Sequence, residues 1–181
     1  MEAGNNKLST YRLVYTSLTI CLVLLGTVLF RIPVPMTQGY VHLGDAMIYI
    51  GILLLGRRSA AAAAGLGSAL ADILGGYAFW APWSLIIKFA MAYICGLLID
   101  RTHQAHTQTE GHSGRRETAL LVLSMTAGGA VMCAGYFIAE SIMYSSMALA
   151  AVSVPWNIAQ FMTGIVIALA ARPLCRHISL S

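Results

Sequence analysis

Residues 57–101 read RRSAAAAAGLGSALADILGGYAFWAPWSLIIKFAMAYICGLLIDR. Two apolar runs, about 59–77 and 82–99, flank a turn signal at Gly75-Gly76 and Pro82, and arginines close both ends. Each run approaches the roughly 20 apolar residues that cross a hydrocarbon layer. The segment therefore predicts a helical hairpin in a membrane. Its arginine-bearing ends lie on the cytoplasmic side, where Lys and Arg collect.

Outward from this hairpin the pattern repeats. Upstream lie a short apolar run at 43–56, a polar, turn-rich stretch at 32–42 (IPVPMTQGYVH) and a long apolar run at 11–30. Downstream, the only long hydrophilic segment, 102–117, precedes apolar runs at about 118–144 and 154–171. This predicts an all-α integral membrane protein: six transmembrane helices in one bundle, a single domain over residues 1–181, with both termini cytoplasmic. The charge count agrees. Lys7, Arg12, Arg57, Arg58, Arg101, Arg115, Arg116, Arg172 and Arg176 fall on one side of such a bundle, and Arg31 alone on the other. A five-helix arrangement with a re-entrant 43–56 segment puts Arg172 and Arg176 outside, against that count.

Composition excludes other classes. Of 181 residues, 58% are hydrophobic and 10% charged, against about 25% charged in soluble domains, and the mean hydropathy is +0.74. The net charge of +4 reflects membrane orientation and not nucleic-acid binding. The first apolar run exceeds the about 7–15 residues of a signal-peptide core and lacks a small-residue cleavage site, so it is read as a retained helix. Cys21, Cys95, Cys133 and Cys175 form no metal or disulfide spacing and read as small packing residues.

Small residues crowd the third helix at Ala60–Ala64, Gly65, Gly67, Ser68, Ala69 and Ala71, which predicts a central helix closely approached by its neighbours. Ser17 and Cys21, and Gly128/Gly129 with Met132 and Cys133, give similar faces on the first and fifth helices. Such faces serve packing within the bundle or docking of a partner membrane protein.

Ionisable groups within spans are costly and default to functional candidates. Asp72, Lys88 and Glu140 fall toward the outer ends of their helices, and Asp45 begins the second. Gln38, Tyr40, His42, Tyr77, Trp80, Trp83, Tyr136, Tyr144, Trp156, Asn157 and Gln160 gather at the same level. An outward-facing pocket with aromatic walls and a few orienting polar groups explains them together. Plainer roles exist for each: interfacial-belt tryptophans, a Lys88–Glu140 pair or a snorkelling Lys88, a capping Asp72, a loop His42. The cytoplasmic His103, His106 and His112 are too irregular for a metal site. No phosphate-binding glycine loop, GxSxG or HExxH is present. A polar pocket without an energy source suggests a capture subunit that relies on other proteins.

The stretches HLGDAMIYIGILLLG, SALADILGGYAFWAP and SLIIKFAMAYICGLLID, within a match over about 11–175, resemble the substrate-binding S components of energy-coupling factor (ECF) vitamin transporters. The resemblance implies a prokaryotic plasma-membrane subunit. Its partners are a transmembrane T component, two cytoplasmic ATPase subunits and the surrounding lipid, with ATP used by the ATPases and no cofactor or nucleic acid bound by this chain. It also implies T-component docking on small residues of the first helix, where the family's Ala-xxx-Ala is here Ser17-xxx-Cys21. The branch it most resembles takes hydroxymethylpyrimidine or pyridoxine, with riboflavin as an alternative. The substrate site is expected at Gln38, Tyr40, His42, Trp83, Lys88, Tyr136, Glu140, Trp156, Asn157 and Gln160. The alternative of another class is a small membrane enzyme acting on lipid, for which Asp45, Asp72 and Glu140 are the only acidic raw material near the outer interface.

Overall fold

The computed structural model describes residues 2–34, 40–106 and 114–178. They form six helices: α1 (Glu2–Val28), α2 (Gly44–Leu55), α3 (Arg57–Leu74), α4 (Ala81–His106), α5 (Gly114–Tyr144) and α6 (Met147–Ile178). A 3-10 turn, Ala78–Trp80, joins α3 to α4. The stretch read as a loop between α1 and α2 holds a two-residue antiparallel ladder, β1 (Ile32–Pro33) with β2 (Tyr40–Val41), pairing Ile32 with Val41. Around the bundle the helices run α1–α3–α4–α5–α6–α2, and α2 closes the ring against α1.

Four helical segments are long and apolar enough to cross a membrane: Thr10–Val28, Ala78–Thr102, Gly114–Tyr144 and Met147–Cys175. Of the other two, α2 is largely covered by protein, whereas α3 buries one face and exposes Leu66, Leu70, Ile73 and Leu74 on the other. α2 has 12 residues and rises about 18 Å, short of a hydrocarbon core of about 30 Å. Eight of its residues are buried, and Tyr49 reaches the Met125 carbonyl of α5 at 2.9 Å. In α3 ten of 18 residues are buried, so close packing, and not oiliness, suits its Ala/Gly sequence. The two helices meet at a single residue, Gly56, whose φ of 72° and ψ of 173° suit glycine alone.

Helix ends differ from the apolar runs. α4 and α5 extend into the hydrophilic 102–117 segment, because a polar surface does not stop a helix in water; its residues 107–113 lie outside the described residues. α6 begins at Met147 rather than near 154. Pro155 lies within the helix. The true entry is Ser145, with φ of 50°, followed by Ser146, whose Oγ accepts from Leu149 N at 3.3 Å, a serine N-cap.

The small residues of α3 do what their spacing predicts. A Cβ on Gly65 would lie 2.8 Å from the Leu85 carbonyl of α4, and one on Gly67 would lie 2.9 Å from the Ile20 carbonyl and Val23 Cβ of α1. Gly67→Ala is therefore expected to destabilise the protein by about 1–3 kcal/mol through overpacking, seen as a lower melting temperature in detergent. Gly114→Ala, where nothing lies within 4 Å, is the control. Equal melting of the two variants would contradict this account of the α1–α3 contact.

Candidate functional site

Polar side chains converge where the 29–43 connection meets the helix ends. Tyr40 and His42 come from β2 and its continuation, Ser68 and Asp72 from the last turns of α3, and Trp80 from the 3-10 turn. Ser84 comes from α4, Tyr136 and Glu140 from α5, and Ser153, Asn157 and Gln160 from α6. Together they line one cavity, which holds about 40 Å3 of enclosed room.

The state of these groups is unusual. Asp72 Oδ2, Glu140 Oε2, Ser68 Oγ, Ser153 Oγ and Trp80 Nε1 are buried without a well-formed hydrogen bond among the described residues, although Ser153 approaches Glu140 and Ser84 approaches Asp72, and all five side chains line the cavity. The sixth such atom, Arg31 Nε, lies outside it. Buried polar groups in folded proteins are nearly always paired. Five orphans around one space point to a partner that is not protein. The Asn157 amide, also buried, lines the same space. Aromatic walls complete it: the Trp80 and Tyr136 rings meet edge-on with centroids 6.2 Å apart.

Beneath the cavity lies a second, fully paired set. Lys88 donates to Asp45 Oδ1, and both side chains are completely buried. The Gln160 amide bridges them to the connection above: Nε2 donates to Asp45 Oδ2 at 2.9 Å, and Oε1 accepts from His42 N at 2.9 Å. The Lys88 ammonium also lies 5.4 Å from the Tyr136 ring centroid. Four elements, α2, α4, α6 and the 29–43 connection, are thus joined at the cavity floor.

The connection is tied down again at its other edge. The Arg31 guanidinium lies 4.2 Å from the Tyr40 ring centroid and 5.0 Å from that of Tyr77, and it donates to the Gly75 carbonyl at 3.2 Å. Tyr40 donates its hydroxyl to Asp72 Oδ1. Burial first, then the Asp72 charge, push the Tyr40 phenol upward, so it stays a donor. His42 is held down to about 3, by burial and then by the Lys88 charge. Its Nδ1 accepts from Gly44 N at 3.0 Å, which places the ring proton on Nε2. His42 is therefore neutral at physiological pH.

Of the residues expected from sequence, Tyr40, His42, Tyr136, Glu140, Asn157 and Gln160 meet at the cavity. Lys88 sits behind Tyr136, paired with Asp45 and not with Glu140. Trp83 is half-buried against the core, and Trp80 takes the place in the lining. Trp156 is 40% exposed and lines an adjoining, largely apolar cleft with Phe30, Arg31 and Ile32, which shares His42 and Gln160 with the cavity. Gln38 lies outside the described residues. Ser17 and Cys21 are exposed on α1. Sequence reasoning grouped Trp80 with the outer cluster but left it out of the expected site, missed Ser68, Ser84 and Ser153 as lining residues, and gave Asp45 no partner. It weighed Asp72 without placing it in the site.

The family model described as "ECF-type riboflavin transporter, S component" matches residues 7–173. The chain belongs to the ECF transporter S components. This S component is 32% identical over 176 residues to the "Thiamine precursor transporter HmpT" of Lactococcus lactis subsp. cremoris (strain MG1363), covering 96% of this chain and 90% of the relative. It is 35% identical over 118 residues to a Pyrococcus woesei protein described only as uncharacterized, covering 65% of this chain and 70% of the relative. The S component is thus a membrane-embedded transporter subunit that binds a vitamin or vitamin precursor. Its family is one of transporter subunits and not of enzymes, which disfavours the lipid-enzyme alternative.

Proposed function

We propose that this S component captures a hydroxymethylpyrimidine-type thiamine precursor from outside the cell for ATP-driven uptake. The observation that carries the reading is the ring of five orphaned buried polar atoms around one aromatic-walled cavity. A flat heterocycle with an amino group, ring nitrogens and a hydroxymethyl group offers donors to Asp72 and Glu140 and acceptors to Trp80 Nε1 and the serines. The 32% identity to a relative named for a thiamine precursor supports the same ligand. Pyridoxine has similar size and groups. Riboflavin is the second reading, favoured by the description of the matching family model.

In this reading the chain crosses a prokaryotic plasma membrane with both termini in the cytoplasm, in line with its nine-to-one basic asymmetry. α2 and α3 complete the six passes, α2 sheltered by its neighbours and α3 with an apolar face exposed at Leu66, Leu70 and Ile73. The chain has no ATPase of its own and binds no cofactor. A T component docks on the exposed Ser17/Cys21 face of α1, and two ATPase subunits supply the work.

The test is identification by mass spectrometry of small molecules that co-purify from cells grown in rich medium, followed by vesicle uptake. Hydroxymethylpyrimidine is the expected ligand, with accumulation only when the T component and ATPases are present. Recovery of riboflavin in its place would overturn the ligand assignment, and accumulation by the isolated chain would overturn the capture role.

A further inference from the structure

The cavity lining has a one-sided charge. Among the described residues it contains two carboxylates, Asp72 and Glu140, and neither lysine nor arginine, while His42 is neutral. The two nearest cations are already engaged. Lys88 is paired with Asp45 behind the wall, and the Arg31 guanidinium is taken up by two tyrosine faces and α3 carbonyls. Counting out to both, three carboxylates (Asp45, Asp72 and Glu140) face two cations. Asp72 comes from α3 and Glu140 from α5, helices that pack on either side of α4. Each presents a buried oxygen without a well-formed hydrogen bond, Asp72 Oδ2 and Glu140 Oε2, with Ser84 and Ser153 respectively nearby, and the two side chains are 3% and 4% exposed.

We propose that Asp72 and Glu140 form a two-carboxylate clamp that selects flat heterocycles bearing amino or protonated ring-nitrogen groups and rejects phosphate esters of the same rings. The proposal deepens the reading above and rests on it for the position of the site. A ring held between the two carboxylates meets acceptors at two edges, so donors there are satisfied and a dianionic substituent is repelled. Trp80 Nε1–H and the hydroxyls of Ser68 and Ser153 supply donors for ring nitrogens or a hydroxymethyl oxygen, but none of them carries the positive charge a phosphate needs. Aryl walls at Tyr40, Trp80 and Tyr136 fit the ring itself. The S component would then require that its substrate reach the membrane unphosphorylated, with phosphorylation belonging to a later step inside the cell.

The experiment is titration of the purified protein in detergent, read by tryptophan fluorescence, with three pairs of probes: hydroxymethylpyrimidine and its monophosphate, pyridoxine and its 5′-phosphate, riboflavin and flavin mononucleotide. For whichever parent ring binds, the phosphate is expected to bind at least about 100-fold more weakly, since like-charge juxtaposition costs several kcal/mol and 1.4 kcal/mol is tenfold. Glu140→Gln and Asp72→Asn, checked for folding by melting temperature, are each expected to weaken the parent about tenfold or more and to narrow that ratio. Binding of hydroxymethylpyrimidine and its phosphate with equal affinity would overturn the clamp while leaving the substrate assignment standing. Binding of riboflavin alone, with flavin mononucleotide rejected, would uphold charge selection and overturn the pyrimidine assignment. A ratio unchanged in both variants would overturn the roles of Asp72 and Glu140, and the wild-type comparison stands even if a variant fails to fold.

Discussion

Lys88→Met is expected to lower stability by about 3–5 kcal/mol, because it leaves the Asp45 charge buried and uncompensated. Both side chains are completely buried. With the ammonium gone, Asp45 keeps one donor, the Gln160 amide at 2.9 Å. Asp45→Asn should cost a comparable amount from the other direction. The double variant Lys88→Met with Asp45→Leu removes both charges and should recover most of the loss, since replacing a buried pair by apolar groups of similar volume is often neutral. Melting temperatures of the three proteins in detergent decide the matter. A double variant no more stable than either single one would show that the pair is not the source of the loss.

The second large effect separates two residues that sequence spacing groups together. Asn157 and Gln160 lie three apart on α6, on one helical face. The Gln160 amide is fully used, by Asp45 on one side and the His42 backbone on the other. Asn157 has no side-chain partner among the described residues and lines the cavity. Gln160→Ala should therefore destabilise the ligand-free protein by about 1–3 kcal/mol for each group it orphans. Asn157→Ala should leave ligand-free melting unchanged and weaken ligand binding by about 1–3 kcal/mol, roughly 5- to 150-fold. If the two variants shift melting and affinity in the same proportions, this division of labour is wrong.

The fold was largely legible. Six apolar runs gave six helices, and the small residues of α3 marked the helix that others approach most closely. The level of the site was legible too, because ionisable groups on separate helices stood at one depth. Its wiring was not. Asp45 and Lys88 are 43 positions apart, and nothing in the spacing favours that pairing over Lys88 with Glu140. Trp83 was preferred to Trp80 because a turn before a helix gives no facing, whereas the 3-10 turn at 78–80 buries Trp80 over the cavity. Ser68 and Ser153 were hidden for another reason. Serines in apolar helices commonly bond the carbonyl four residues back, as Ser124 and Ser141 do at 2.9 and 2.7 Å, and only coordinates reveal the two that do not.

The buried pair also dictates an order of events during synthesis. The chain emerges from its N-terminus, so Asp45 is delivered to the membrane before Lys88 exists. Until α4 is made, α2 carries an acidic group with no counter-ion, on a helix too short to cross unaided. Until then apolar surroundings favour the neutral, protonated form of Asp45, and the ion pair forms only once α4 brings Lys88. The floor of the cavity, though built partly from the second helix, is among the later parts of the molecule to be completed.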